Sequence, residues 1–319
     1  MGESMIASGS QGAAAASAIS AVLPKRRERP SLYWRALRAL RRDPFAIAGL
    51  IILTIAMTAA IAGPYISPHD PLDQNLAARL RPPFWQERGS FAHPLGTDNL
   101  GRDILSRLIY GARVSATVGL TVVTIGAVVG TAIGLSAGYF GGKIDSVITG
   151  IVDIVLSFPG LLLALTVVAM LGPTITTVIL ALSMRGWVVY ARVARGQALA
   201  LSKFQFIEAA QSIGAPAPWV LARHMLPNLL PSIVTVAVLE LARMVLAESS
   251  LSFLGLGVQP PGISWGLMLA EGRNYMLTAP WLVTLPGVAI AVTVLSANII
   301  SSHVRRLVDP FQQGRSEDQ

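Results

Sequence analysis

The sequence predicts an all-α polytopic membrane protein with six transmembrane helices. Two observations carry that prediction. Of 319 residues, 53% are hydrophobic and only 13% charged, where a soluble domain carries about a quarter charged residues. The mean hydropathy is +0.58, and the apolar residues fall into blocks about as long as a bilayer is thick. The formal charge of +8 would point to nucleic acid in a soluble chain. Here the arginines cluster beside apolar runs, where they orient spans, so membrane lipid is the expected surrounding and no nucleic-acid partner is expected. The chain has no cysteine, which excludes disulfides and thiolate metal sites.

Residues 1–30 begin rich in Ala, Gly and Ser and end in a basic run from Lys25 to Arg29. A secretory signal has its charges before the apolar core. Here they come after it, and large apolar residues are scarce, so the segment reads as a disordered cytoplasmic tail that stays attached. The first span is expected at 45–63, between Pro44 and Pro64; its length of ~28 Å is close to the hydrocarbon thickness. The second is expected at 114–138, studded with Gly119, Gly126, Gly130 and Gly134 at spacings that suit close helix packing. The third, 146–171, stops at Gly172-Pro173, a turn signal. The fourth is 174–191, the fifth 229–247 and the sixth 281–302. Outer loops then cover 64–113 and 248–280, and a tail covers 312–319. Six spans put both termini on one side. Basic residues choose the cytoplasmic side for them: Arg35, Arg38, Arg41 and Arg42 before the first span, Arg192, Arg195, Lys203 and Arg223 between the fourth and fifth, and Arg305 and Arg306 at the end.

The connection 192–228 carries the most specific pattern. Phe204 to Ser212 has helix-forming character, with Phe204, Ile207 and Gln211 on one face. Gly214 suits a C-cap, since glycine takes φ > 0 without a Cβ penalty, and Pro216 and Pro218 stop the helix from continuing. The expected product is a short helix lying across the cytoplasmic end of the bundle. Glu208-Ala209-Ala210 alone is compatible with a plain interhelical connection. The longer set, adding Gly214, His224 and Leu226-Pro227-Asn228, is far more specific.

On the outer side, Thr97, Asp98 or Asn99 is expected to cap a short interfacial helix with Ile104, Leu105, Leu108 and Ile109 on its apolar side. Residues 248–272 are rich in Gly, Ser and Pro yet apolar, and are expected to fold back as an outer gate. Asp98, Arg102, Asp103, Glu248 and Trp265 are the residues expected at that gate or at a binding-protein contact. Asp153, Arg185, Glu240 and Arg243 lie within spans, where charges are costly and usually face a pathway or a partner. Glu240 and Arg243 stand at i,i+3 and can pair. There is no G-x-x-x-x-G-K-[ST] and no HExxH. The histidines His69, His93, His224 and His303 are scattered in sequence, each read as a hydrogen-bond partner, so no metal site is expected from this chain alone.

Several strings, in order, resemble one family. They are HPLGTDNLGRDILSRLIYGAR (93–113), GYFGGKIDS (138–146), LSFPGLLLAL (156–165), ARGQALAL (194–201) and ESSLSFLGLGVQPPGISWG (248–266), followed by Asn298, Arg305 and Asp309-Pro310. The chain resembles the C-type permease subunit of the oligopeptide/dipeptide/nickel ABC importers over residues 31–311. Departures are Pro216 and Pro218, Ser301-Ser302 and Arg306; His224 follows the peptide subclass.

The resemblance implies the ABC-importer permease fold with a cytoplasmic coupling helix, in the cytoplasmic (inner) membrane. It implies a second homologous permease subunit, two cytoplasmic ATPase subunits or domains, and an extracytoplasmic substrate-binding protein. It also implies that Phe204, Glu208, Ala209, Ala210 and Gly214 meet the ATPase. ATP and Mg would sit on the partners, with no cofactor and no catalysis on this chain. Di- or oligopeptides are the expected cargo, with glutathione, nickel chelates or haem-like ligands as alternatives. The rival of another class is a stand-alone secondary transporter, which calls for inverted repeats and broken spans.

Overall fold

The computed structural model describes residues 43–308. The terminal tails expected at 1–30 and 312–319 lie outside them. Helix α1 (Pro44–Ile66) starts with proline at N1, and the Asp43 carboxylate accepts the N–H groups of Phe45 (3.1 Å) and Ala46 (3.2 Å). The helix runs through Pro64, beyond the expected end at Gly63. Proline falls in its last turn, where Ser67 closes the end by donating its N–H and Oγ–H to the Gly63 carbonyl.

Helix α2 (Ile104–Phe140) has 37 residues and starts ten residues before the expected span. The separate interfacial helix is therefore corrected: its residues are the first turns of the span. The cap is also corrected, from 97–99 to Asp103, whose carboxylate accepts Ser106 N–H at 2.8 Å. The expected single span 146–171 is two helices, α3 (Gly142–Ser157) and α4 (Gly160–Leu171), bent by 82°. Pro159 has no N–H to donate, and it holds Phe158 extended (φ −89°, ψ 132°).

Helix α5 (Ile175–Leu201), capped by Thr174 on Thr177 N–H, continues ten residues past its expected end. Short helices α6 (Gln205–Ser212) and α7 (Ala217–Val220) follow, then a π-turn (Leu221–Met225) and α8 (Leu226–Phe253). Because α8 extends past 247, the first six residues of the expected outer loop 248–280 are helical. Helix α9 (Trp265–Gly272), capped by Ser264, and α10 (Trp281–Val308) complete the described residues. Five helices are long and apolar enough to cross a membrane, or six spans if the bent pair counts as one.

The closest packing is between α2 and α5. A Cβ added at Gly130 would lie 2.1 Å from the Trp187 carbonyl oxygen, and one at Gly134 2.1 Å from that of Ala191. At Gly138 it would meet the Ala198 Cβ at 2.6 Å. Only glycine permits backbones to approach this way. The matched order of the two series makes α2 and α5 parallel, which requires the bent α3–α4 pair to return the chain between them. Arg306 and His303 reach Asp43 at 3.5 and 3.6 Å. The start of α1, the ends of α2, α5 and α10, and helix α6 therefore share one end of the bundle. The long loop after α1 and helix α9 occupy the other.

Candidate functional site

At the first end, α6 lies against the bundle through Ile207 and Ala210, both buried. Phe204 and Gln211, expected on that face, are exposed. The helix closes as its sequence requires. Gly214, at φ +79°, donates its N–H to the Gln211 carbonyl, and Ala215 donates to Ala210. These are the two bonds of a Schellman cap. Pro216 then precedes α7, and Pro218 stands at its second position, so the prolines that stop one helix begin the next.

The outward side of this end is unexpectedly apolar. Phe204 (53% exposed), Phe206 (44%), Trp219 (46%) and Ile213 (83%) stand in water-facing positions of a polar connection. Phe204 stacks on Phe206 at 5.8 Å, Phe206 neighbours His224 at 6.2 Å, and His224 meets Trp219 edge-on at 4.7 Å. Glu208, Ala209 and Gly214 are exposed beside this strip; Ala210 is a packing residue, pointed inward. An exposed contiguous apolar patch rimmed by polar groups marks a binding face. Phe206, Ile213 and Trp219 were not expected from the sequence. Their signal was large apolar side chains placed where the chain has no span to build.

Within the bundle, Arg185, Glu240 and Arg243 line a cavity of about 270 Å³ with Gly160, Leu156 and Met244. Arg243 Nη1 donates to the buried Glu240 carboxylate at 2.7 Å, so the expected i,i+3 pair forms. Arg185 has no side-chain hydrogen bond or ion pair among the described residues, and its guanidinium lies over Gly160 at the α3–α4 break, 2.1 Å from where a Cβ would stand. Asp153 does not join them; it pairs with Arg192 at 3.0 Å, both exposed. Three of the four expected intramembrane charges are thus brought together. The sequence reading also missed Asp145, whose carboxylate takes both Nε and Nη2 of Arg195 and ties α3 to α5.

At the other end, the five residues expected to present a gate or contact are buried. Asp98 holds Arg102 (Nε to Oδ2, 2.6 Å) and Arg107, and both guanidiniums reach Glu271 Oε2, at 3.1 and 2.8 Å. This four-charge cluster joins the long loop, α2 and α9. Trp265 donates its Nε1–H to the Leu108 carbonyl at 2.9 Å. Glu248 is fully buried in α8, accepting from Ser115 (2.9 Å) and Ser252 (2.8 Å). Asp98, Arg102, Asp103, Glu248 and Trp265 are thus buried, and their bonds hold the mouth together. Removing the hydrogen-bonding capacity of Glu248 leaves buried hydroxyls unpaired. Glu248→Leu should lower the detergent melting temperature, while Glu248→Gln should keep most of it; equal melting of all three forms would refute the role.

Two expected scattered histidines are also brought together. His69 and His93 have ring centroids 4.7 Å apart, and both face Asp103.

The described residues thus form a bundle of long apolar helices with an exposed aromatic strip at one end and a buried charge cluster at the other. The chain belongs to the family described as binding-protein-dependent transport system inner membrane component, which matches residues 130–313. Residues 31–83 match the N-terminal TM domain of oligopeptide transport permease C.

Among relatives, the chain is 36% identical over 299 residues to the probable D,D-dipeptide transport system permease protein DdpC of Escherichia coli K12, covering 93% of this chain and 97% of that one. It is 42% identical over 270 residues to the dipeptide transport system permease protein DppC of the same organism, covering 85% and 90%. To the DppC protein of Bacillus subtilis it is 36% identical over 286 residues, covering 89% and 88%. Among solved structures, the inward-facing MetNI methionine ABC transporter matches with a TM-score of 0.51 at 19% identity, covering 63% of this chain and 96% of that one. That likeness shows the fold: this is an ABC-importer permease fold, in a multi-pass inner-membrane protein.

Proposed function

We propose that this chain is one permease subunit of an ABC importer that carries di- or oligopeptides into the cytoplasm, driven by ATP hydrolysis on partner subunits. The observation that carries the reading is α6: a short capped helix anchored by Ile207 and Ala210, presenting Phe204, Phe206, Glu208, Ala209 and Ile213 outward. Such a helix can move as a rigid body when an ATPase docked on it closes. This end is cytoplasmic in the reading, which puts both termini inside and the long loop 67–103 outside. The basic residues Arg305 and Arg306 at the same end support it. The second permease completes the pathway, because a bundle of this size encloses only a small cavity. ATP and Mg belong to the ATPases, and the cargo is delivered by an extracytoplasmic binding protein. The dipeptide names of the relatives support peptide as cargo.

Purification of the tagged protein in mild detergent with mass spectrometry should recover a second permease and one or two ATPase chains at stoichiometric levels. Uptake of labelled peptide should require ATP. A chain that purifies alone even after crosslinking at Glu208, with uptake following an ion gradient, would overturn the reading.

Arg185, Glu240 and Arg243 are proposed to line the path. The double variant Glu240→Gln with Arg243→Gln removes both partners of the pair together. It should slow uptake about tenfold or more while the complex still assembles; unchanged uptake would remove these residues from the path.

A further inference from the structure

The geometry points to a divalent transition-metal site of the zinc class, built by His69, His93 and Asp103 beside the mouth of the bundle. The three candidate donor atoms lie within 4.8 Å of one another. His93 Nδ1 stands 3.0 Å from Asp103 Oδ1, and His69 Nδ1 3.8 Å from Asp103 Oδ2. Ligands about 2.0–2.2 Å from a tetrahedral zinc lie roughly 3.3 Å apart. The two measured gaps run to the two different oxygens of Asp103, so an ion would be held by both of them, or by one after a turn of the half-exposed His69 ring.

The donor set suits such an ion. Two imidazole nitrogens and a carboxylate oxygen are ligands that zinc, copper and nickel accept, and three protein ligands leave a position for water. The carboxylate is held still. Asp103 is buried, and its Oδ2 accepts both the N–H and the Oγ–H of Ser106 at 2.8 Å. The same Ser106 Oγ accepts the backbone N–H of His69 at 3.0 Å. One serine thus fixes the carboxylate and the chain that carries the second imidazole, which is the support a first ligand shell needs.

His93 arrives by a different route, through the isolated bridges Ser90–His93 and Thr97–Asp103. The three ligands therefore come from the start of the loop, its last third and the cap of α2. An ion there would clip the whole of segment 67–103 to the bundle, and the partly exposed His69 gives it a way in. A plain His93–Asp103 hydrogen bond accounts for two of the three groups. It gives no reason for the His69 ring to lie against His93 with its Nδ1 turned to the same carboxylate.

The test uses the full chain in its purified complex, carried on a tag without histidine and stripped with a chelator. Zinc ions alone are then added, and bound metal is counted by mass spectrometry in competition with a chromophoric chelator. The parent should hold one more zinc per copy of this chain than the His69→Ala variant. His69→Ala should weaken that binding at least about tenfold, the scale of losing support or a ligand at such sites, and His224→Ala should not. Zinc should also slow proteolysis within 67–103 in the parent and not in His69→Ala. His69→Ala keeps the backbone bond to Ser106, so the comparison stands if His93→Ala does not accumulate. Equal zinc content and affinity in parent and His69→Ala would overturn the site. The readout is independent of transport, so this result and the importer reading fail separately.

Discussion

Gly130→Val should largely remove the folded protein from the membrane. The added Cβ would lie 2.1 Å from the Trp187 carbonyl oxygen and 2.8 Å from the Tyr190 Cβ. The first obstacle is backbone of α5, so no rotamer change relieves it, and the two helices must separate. Overpacking of a close interface costs about 1–3 kcal/mol, more where backbone must move. Separation would also open the neighbouring contacts at Gly126, Gly134 and Gly138. Against a total stability of about 5–15 kcal/mol, a loss of about 3 kcal/mol or more should cut accumulation several-fold and lower the melting temperature in detergent. Gly196→Val is the control. It lies on the same α5 with nothing within 4 Å of its Cβ, and it should accumulate as the parent does. Parent-like melting of Gly130→Val would mean that α2 and α5 are not in backbone contact.

Ala209→Arg should leave the chain folded and stop transport. Ala209 is exposed on α6, one position from the buried Ala210, so the fold loses nothing by the change. A bulky cation placed beside the apolar strip would keep an ATPase from seating there. Uptake should fall at least about tenfold while accumulation stays normal, and ATP hydrolysis in the reconstituted complex should cease to follow cargo-loaded binding protein. Ile207→Asp provides the contrast, because it buries a charge under α6 and should cost accumulation itself. A bulky residue at Gly214 should also uncouple. There, no atom lies within 4 Å of the new Cβ, so the intramolecular cost is the φ of +79°, about 1–2 kcal/mol. Tight coupling in Ala209→Arg would place the docking face elsewhere.

The spans were legible because apolar length is dictated by the bilayer, and α6 because its cap and stop are written in Gly214 and the prolines. Other features were not legible, each for a physical reason. The start of α2 was placed too late because Arg107 and Arg113 ended the apolar run. Arg107 is in fact neutralised by Asp98 and Glu271, the second 164 residues away, and distant pairing leaves no local trace. The outer end of α8 was lost in the same way, since Glu248 was read as a loop residue while serines on two helices satisfy it. Pro159 was passed over because averaged hydropathy is blind to one missing N–H. At the mouth, the residue types were found and their pairing was not: Asp98, Arg102, Arg107 and Glu271 bind one another. His69 and His93 stand 24 positions apart in sequence, and only the folded loop brings them together.

Helix α2 has a mechanical consequence. At 37 residues it is about 55 Å long, well beyond the ~30 Å of hydrocarbon it crosses, so it emerges on both sides. One tip is gripped by the four-charge cluster and α9; the other presses on the last turns of α5, just before α6. A stiff member gripped at both tips transmits rotation without relays. A tilt of about 3° would carry one tip by about 3 Å relative to the other, from the length alone. In the importer proposed above, α2 is the one continuous element that would join the α6 end of the bundle to the mouth.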